Sequence, residues 1–158
     1  MSALEERLRS MRLYVLVTGA LAKRPAEEAA AAALAGGADA VQMREKDLPD
    51  RELIRLGRDL RRVTEAAGAL FFVNDRPDIA RLVGADGVHL GQDDLPMEAG
   101  RRVLGAGGLV GVSTHSVEQA RAAQGADYIG VGPMYATATK GYEQGHGPDL
   151  VRAVRAAV

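Results

Sequence analysis

Short apolar runs alternate with helix-patterned stretches from Leu13 to the end of the chain, and this alternation leaves few folds open. The runs cover residues 13–17, 38–43, 70–73, 87–90, 109–112 and 128–131, each short enough for a buried strand. Helices are expected at 25–35, from 49, at 77–83, from about 96, at 117–123 and at 148–158. Pro25 and Gly36-Gly37 bracket the first, and Leu53, Leu56, Leu60 and Val63 recur at helical spacing in the second. Ser116, with Gln119 three residues on, reads as a capping box. Strict alternation means parallel strands joined by right-handed crossovers. The phrase Gly-Ala-Asp recurs at 37–39, 84–86 and 125–127, as each helix gives way to a strand. Such repetition suits a TIM-type (β/α) barrel, in which every unit meets the same geometric problem. The other option, an open doubly wound sheet, lacks a G-x-G-x-x-G turn after the first strand. The expected fold class is therefore α/β, a single (β/α)-barrel domain over residues 1–158. Six units do not close an eight-stranded barrel, so it reads as truncated, lacking the seventh and eighth units. Its first and last strands would be unpaired edges, and a homo-oligomer that covers them is expected.

Five of the runs end in a polar cluster, and ligands bind at strand carboxyl ends in parallel α/β folds. The clusters are Gln42-Met43-Arg44-Glu45-Lys46, Asn74-Asp75-Arg76, His89 to Asp94, Ser113-Thr114-His115 and Thr137-Ala138-Thr139-Lys140. Two of the chain's three lysines and its only asparagine fall inside them. Gln42, Arg44 and Lys46 alternate, so they share one face, where two cations and an amide call for an anion. Glu45 and Asp47 are the alternative partners for that charge. Asp75 and Asp94 follow adjacent strands and have the reach to share a divalent ion. Asp78 is expected to cap a helix, and Asp93 to be solvated. Ser113 lies near His115, but no strained elbow or third triad member accompanies them. A hydroxyl that binds an anion or heterocycle is the better reading. His115 reads as a helix-entry residue and His89 as a satisfied structural histidine. Thr137, Thr139 and Lys140 suit a phosphate or polar heterocycle, or a surface loop.

Composition narrows the setting. A net charge of −1 gives no reason to expect nucleic acid, and no run is long enough to cross a membrane. With no cysteine and no signal-like start, a cytoplasmic location is expected.

The segments VQMREKD, FFVNDRPDIARLVGADGVHLGQDDLP, GVSTHS and ADYIGVGPMYATATK, in this order and spacing, resemble the thiamine-phosphate synthase family. The resemblance implies a (β/α)₈ barrel and a Mg²⁺-dependent transferase. It would join hydroxymethylpyrimidine diphosphate to a thiazole phosphate and release pyrophosphate, in thiamine biosynthesis. It also implies roles. Gln42, Met43, Arg44, Glu45 and Lys46 would bind the pyrimidine diphosphate, with Arg44 and Lys46 on its phosphates, and Asn74 would contact it. Asp75 and Asp94 would hold Mg²⁺. Ser113 and Lys140 would complete the diphosphate site, and Thr137, Ala138 and Thr139 would contact the thiazole phosphate. Arg44, Lys46, Ser113 and Lys140 are thus the expected catalytic groups. Many relatives have an acidic residue after the threonine of YVLVTGA, and here it is Gly19. Two other readings stand beside the synthase: a thiazole tautomerase of the same fold, with His115 as acid/base, and an inactive substrate-binding fragment.

Overall fold

In the computed structural model, which describes residues 2–136 and 145–158, all six expected strands form. They are β1 (Tyr14–Val17), β2 (Ala40–Met43), β3 (Leu70–Asn74), β4 (Gly87–Leu90), β5 (Leu109–Thr114) and β6 (Tyr128–Val131). The helices are α1 (Ala3–Ser10), α2 (Ala26–Ala35), α3 (Asp50–Ala66), α4 (Pro77–Val83), α5 (Met97–Leu104), α6 (Val117–Ala122) and α7 (Gly147–Ala157). The strands pair in chain order, all parallel. The sheet curls into a half-barrel, with β1 and β6 as its two edges.

Strand parity divides the core in two. Val41, Met43, Phe71, Val73, Val88, Leu90 and Val110 face outward, against Leu53, Leu56 and Leu60 of α3 and Ile79, Ala80 and Val83 of α4. The leucines of α3 recur every three or four residues, so one stripe meets the sheet. The alternate residues Ala40, Leu70, Phe72 and Leu109 face inward with Tyr14 and Tyr128.

The helix α1 is absent from the expectation built on apolar runs. Its signal is local. Ser2 accepts from the Glu5 amide at 3.2 Å and the Glu5 carboxylate accepts from the Ser2 amide at 2.8 Å, a complete capping box. Leu4 and Leu8 then pack beneath the inward layer.

The Gly-Ala-Asp phrase has one job at all three places. Asp39 accepts from the amides of Arg12 and Leu13, at 2.8 and 2.9 Å. Asp86 accepts from the Phe71 amide at 2.8 Å, and Asp127 from the Val110 amide at 2.7 Å. Each carboxylate thus ties its own strand to the start of the preceding one, at the amino-terminal end of the sheet. Arg61 and Arg101 hold Asp86 and Asp127 from outside, at 2.8 and 3.0 Å. This latch fixes the register, and so fixes which residues emerge together at the other end.

Candidate active site

The inward face of the sheet opens at the strand carboxyl ends into a cavity of about 740 Å³, which Gln42, Arg44, Asn74, His89 and Ser113 help to line. Gln42 is 2% exposed and Arg44 8% exposed. The Arg44 amide continues the ladder by donating to the Val17 carbonyl, which keeps its side chain in phase with Gln42. A guanidinium kept this far from water favours an anion beside it. Gln42 Oε1 is buried and has no hydrogen-bond partner among the described residues. A lone buried acceptor awaits a donor. Tyr14 and Tyr128 line the cavity as well, and burial holds both phenols above their ordinary pKa, so both remain protonated.

Outside the strand ends lies a charged rim. Asn74 ends β3, and Asp75 takes a left-handed backbone with φ 62°. Aspartate tolerates that region better than most residues, and such outliers gather at functional sites. The turn brings the Asp75 carboxylate to Lys46 Nζ, at 3.6 Å, and against Asp94. Burial and then the neighbouring Asp94 push the Asp75 carboxyl up to about 6, while Lys46 works the other way. Asp94 is aimed by the Gly91 amide, which donates to its Oδ2 at 2.6 Å. A Cβ at Gly91 would lie 2.8 Å from the same oxygen, so a larger residue there would turn the Asp94 carboxylate aside.

Two opposed carboxylates, one reluctant to ionise, would be relieved by a divalent cation. No group of three or more His, Asp or Glu among the described residues is placed to hold a metal. A cation here would draw two carboxylates from the protein and its remaining ligands from substrate and water, which is the habit of Mg²⁺.

The structure therefore brings together Gln42, Arg44, Asn74 and Ser113 on the cavity wall, and groups Lys46, Asp75 and Asp94 with one another just past the strand ends, where Asp75 follows Asn74. It sets two others apart. The Met43 side chain has the opposite parity and is buried against the helices, away from the cavity. The Glu45 carboxylate accepts from the Gly19 amide, so it ties the β1 loop to the β2 loop. Thr137, Ala138, Thr139 and Lys140 lie outside the described residues. Asp78 is not a cap but pairs with Arg76, whose guanidinium also reaches Asp50. Asp93 is exposed. His115 Nδ1 lies 2.5 Å from the Gly132 carbonyl, and the Gln119 side chain accepts from the His115 amide rather than from Ser116. His89 lines the cavity and bonds through both ring nitrogens, to Tyr128 and Ser113. The motif-based reading left out Tyr14 and Tyr128. Strand parity points to both, because each begins a strand with its side chain on the inward row.

Residues 13–158 match the family model described as "Thiamine monophosphate synthase". The chain is 52% identical over 151 residues to a thiamine-phosphate synthase of Moorella thermoacetica, covering 92% of this chain and 71% of that protein. It is 46% identical over 157 residues to the thiamine biosynthesis bifunctional protein ThiM/ThiE of Symbiobacterium thermophilum, covering 98% of this chain and 31% of that one. Among solved structures, the thiamine phosphate pyrophosphorylase from Pyrococcus furiosus superposes with a TM-score of 0.86 at 38% identity, over 98% of this chain and 73% of that one.

Proposed function

Since the chain belongs to the thiamine monophosphate synthase family, we propose that its strand-end site serves a thiamine-phosphate synthase that couples hydroxymethylpyrimidine diphosphate to a thiazole phosphate. The carrying observation is that buried Arg44 and Ser113 line the strand-end cavity while Lys46, Asp75 and Asp94 cluster just past the same ends of the sheet. Cations placed where charge develops on a leaving group are the main source of catalysis in such a reaction. The bond between the pyrimidine methylene and the diphosphate oxygen breaks, and its electron pair leaves on the diphosphate. The thiazole nitrogen then forms the new bond to the cationic methylene, and pyrophosphate departs. Arg44 presents a planar fork to the phosphate oxygens, Lys46 a mobile charge and Ser113 a hydroxyl. Gln42 and Asn74 orient the donor from the cavity wall. Asp75 and Asp94 would hold Mg²⁺, which when bound supplies charge neutralisation to the diphosphate. Thr137 to Lys140 remain part of the proposed acceptor and diphosphate sites. A homo-oligomer and a cytoplasmic location belong to the same reading. An isomerase expels no diphosphate and has no use for the carboxylate pair.

The test mixes both substrates with Mg²⁺ and follows thiamine phosphate and pyrophosphate, which should appear in equal amounts. Asp94→Asn is expected to reduce the rate about 10²-fold and to weaken Mg²⁺ binding. Folded protein that binds the pyrimidine diphosphate yet forms no product would refute the synthase reading. An unchanged rate in Asp94→Asn would remove that residue from the metal site.

A further inference from the structure

A line of hydrogen bonds runs through the interior from β2 to β5, and the proposed chemistry uses only its two ends. Gln42 Nε2 donates to the Tyr14 hydroxyl at 2.8 Å, and the Tyr14 and Tyr128 hydroxyls meet at 3.0 Å. The Tyr128 hydroxyl lies 3.0 Å from His89 Nδ1, and His89 Nε2 lies 2.8 Å from Ser113 Oγ. Nothing in the reaction above gives Tyr14, Tyr128 or His89 a task.

Two features mark the line as built. Asn74, His89, Gly111 and Tyr128 share one row across β3 to β6. His89 and Tyr128 therefore stand two strand spacings apart, roughly 9–10 Å of backbone. They touch because Gly111 between them has no side chain: a Cβ there would lie 2.1 Å from the Tyr128 ring. The phenols are also held in place. The rings of Tyr14, Phe72 and Tyr128 pack with centroids 5.3, 5.4 and 5.9 Å apart.

The line has a polarity. An amide nitrogen only donates, so Tyr14 accepts from Gln42 and passes its own proton to Tyr128. Tyr128 then donates to His89 Nδ1, which places the imidazole proton on Nε2. That proton goes to Ser113 Oγ and leaves the serine hydroxyl proton for the cavity, where it suits a phosphate oxygen. At the other end Gln42 Oε1 is buried beside the cavity wall and has no hydrogen-bond partner among the described residues. Flipping the Gln42 amide would reverse every step. Ser113 would then donate to His89 and offer an anion only lone pairs.

We propose that Tyr14, Tyr128 and His89 are positioning residues that lock Gln42 as an acceptor and Ser113 as a donor, and so couple recognition of a heterocycle bearing an N–H donor to binding of its diphosphate. This rests on the donor-site reading above. Each end is correct only while the other is.

Tyr128→Phe cuts the line in the middle and keeps the ring. The measurement is a double-mutant cycle of Gln42→Ala and Ser113→Ala on the dissociation constant and kcat/KM for pyrimidine diphosphate. In the intact line the combined loss should be at least about 5-fold smaller than the product of the single losses. In Tyr128→Phe, or in Tyr14→Phe if the first variant does not fold, the losses should multiply. Tyr128→Phe should itself lower kcat/KM about 10-fold. An effect on melting temperature alone would reduce the line to packing and overturn the inference, as would losses that multiply in the intact protein. Nitrogen chemical shifts of His89 in the unmodified protein give an independent test. Neutral His89 should carry its proton on Nε2, and a proton on Nδ1 would overturn the assigned polarity. Failure of the unmodified protein to bind pyrimidine diphosphate would refute the donor-site reading and this inference with it. Normal binding with uncoupled ends would overturn the inference alone.

Discussion

Aspartate does opposite work at the two ends of this sheet. At the amino-terminal end Asp39, Asp86 and Asp127 each accept backbone amides, and two of them also face an arginine. Their charge is satisfied by the fold itself. The Asp39 carboxyl is accordingly held below its ordinary pKa, chiefly by the Arg12 and Leu13 amides. At the carboxyl end Asp75 faces Asp94 with Lys46 beside it, and burial and the second carboxylate raise its pKa. One end spends aspartates on register. The other keeps charge unsatisfied, at a cost to stability, and an unsatisfied charge is what a ligand or cation binds. The lesson is that partners, not residue type, separate a latch from a site.

The largest expected effect comes from the site end. Arg44→Ala should lower kcat/KM about 10²–10³-fold, or about 3–4 kcal/mol of transition-state stabilisation, while the melting temperature stays level or rises. Steady-state kinetics with a thermal melt would check both halves, and a large loss of stability would turn Arg44 into a structural residue. At the latch end Asp86→Ala should lower stability by about 2–3 kcal/mol, since it strands the Phe71 amide and Arg61. Its kcat at a temperature where it is folded should match the parent. Denaturant titration measures the first quantity, and a kcat loss without unfolding would blur the contrast between the ends.

The smallest effect concerns pH. The folded pKa of Asp75, about 6, lies above its ordinary value. The charged form is thus disfavoured in the native state, and Asp75 lowers stability as pH rises from about 4 through 6. In metal-free protein Asp75→Asn should raise the melting temperature at pH 7.5 by about 2–4 °C, with little change at about pH 3. Asp39 has the opposite sign: its stabilisation is present above the ordinary carboxyl range and fades as pH falls through its lowered value. Melts across pH would separate the two, and an Asp75→Asn protein less stable at pH 7.5 would contradict the account of the rim.

Much of this was legible beforehand, for identifiable reasons. Apolar runs of strand length separated by helical stretches force a parallel sheet, and all six runs became strands. Parity alone placed Gln42, Arg44 and Lys46 on one face, because a strand can only alternate. The same rule excludes Met43, whose side chain went to the helices. The helix α1 escaped a reading built on apolar runs, because its evidence is a capping box over a short charged segment. Glu45 was beyond a local reading, since its partner Gly19 is 26 residues away, whereas Asp78 pairs with Arg76 two residues back, an arginine that Asp50 also holds in place from 26 residues away.

The sequence by itself determined the number of strands, their parallel direction, the inward and outward rows, and which residue types stand at the strand ends. These follow from local periodicity and from crossovers of one hand. Only the tertiary structure decided which of those residues meet. The curl of the sheet brings Tyr14 of one edge strand to Tyr128 of the other, 114 positions along the chain. Gly111 opens the gap through which Tyr128 reaches His89. Contacts of that kind depend on curvature and on an empty volume between strands, and neither is a property of any single stretch of sequence.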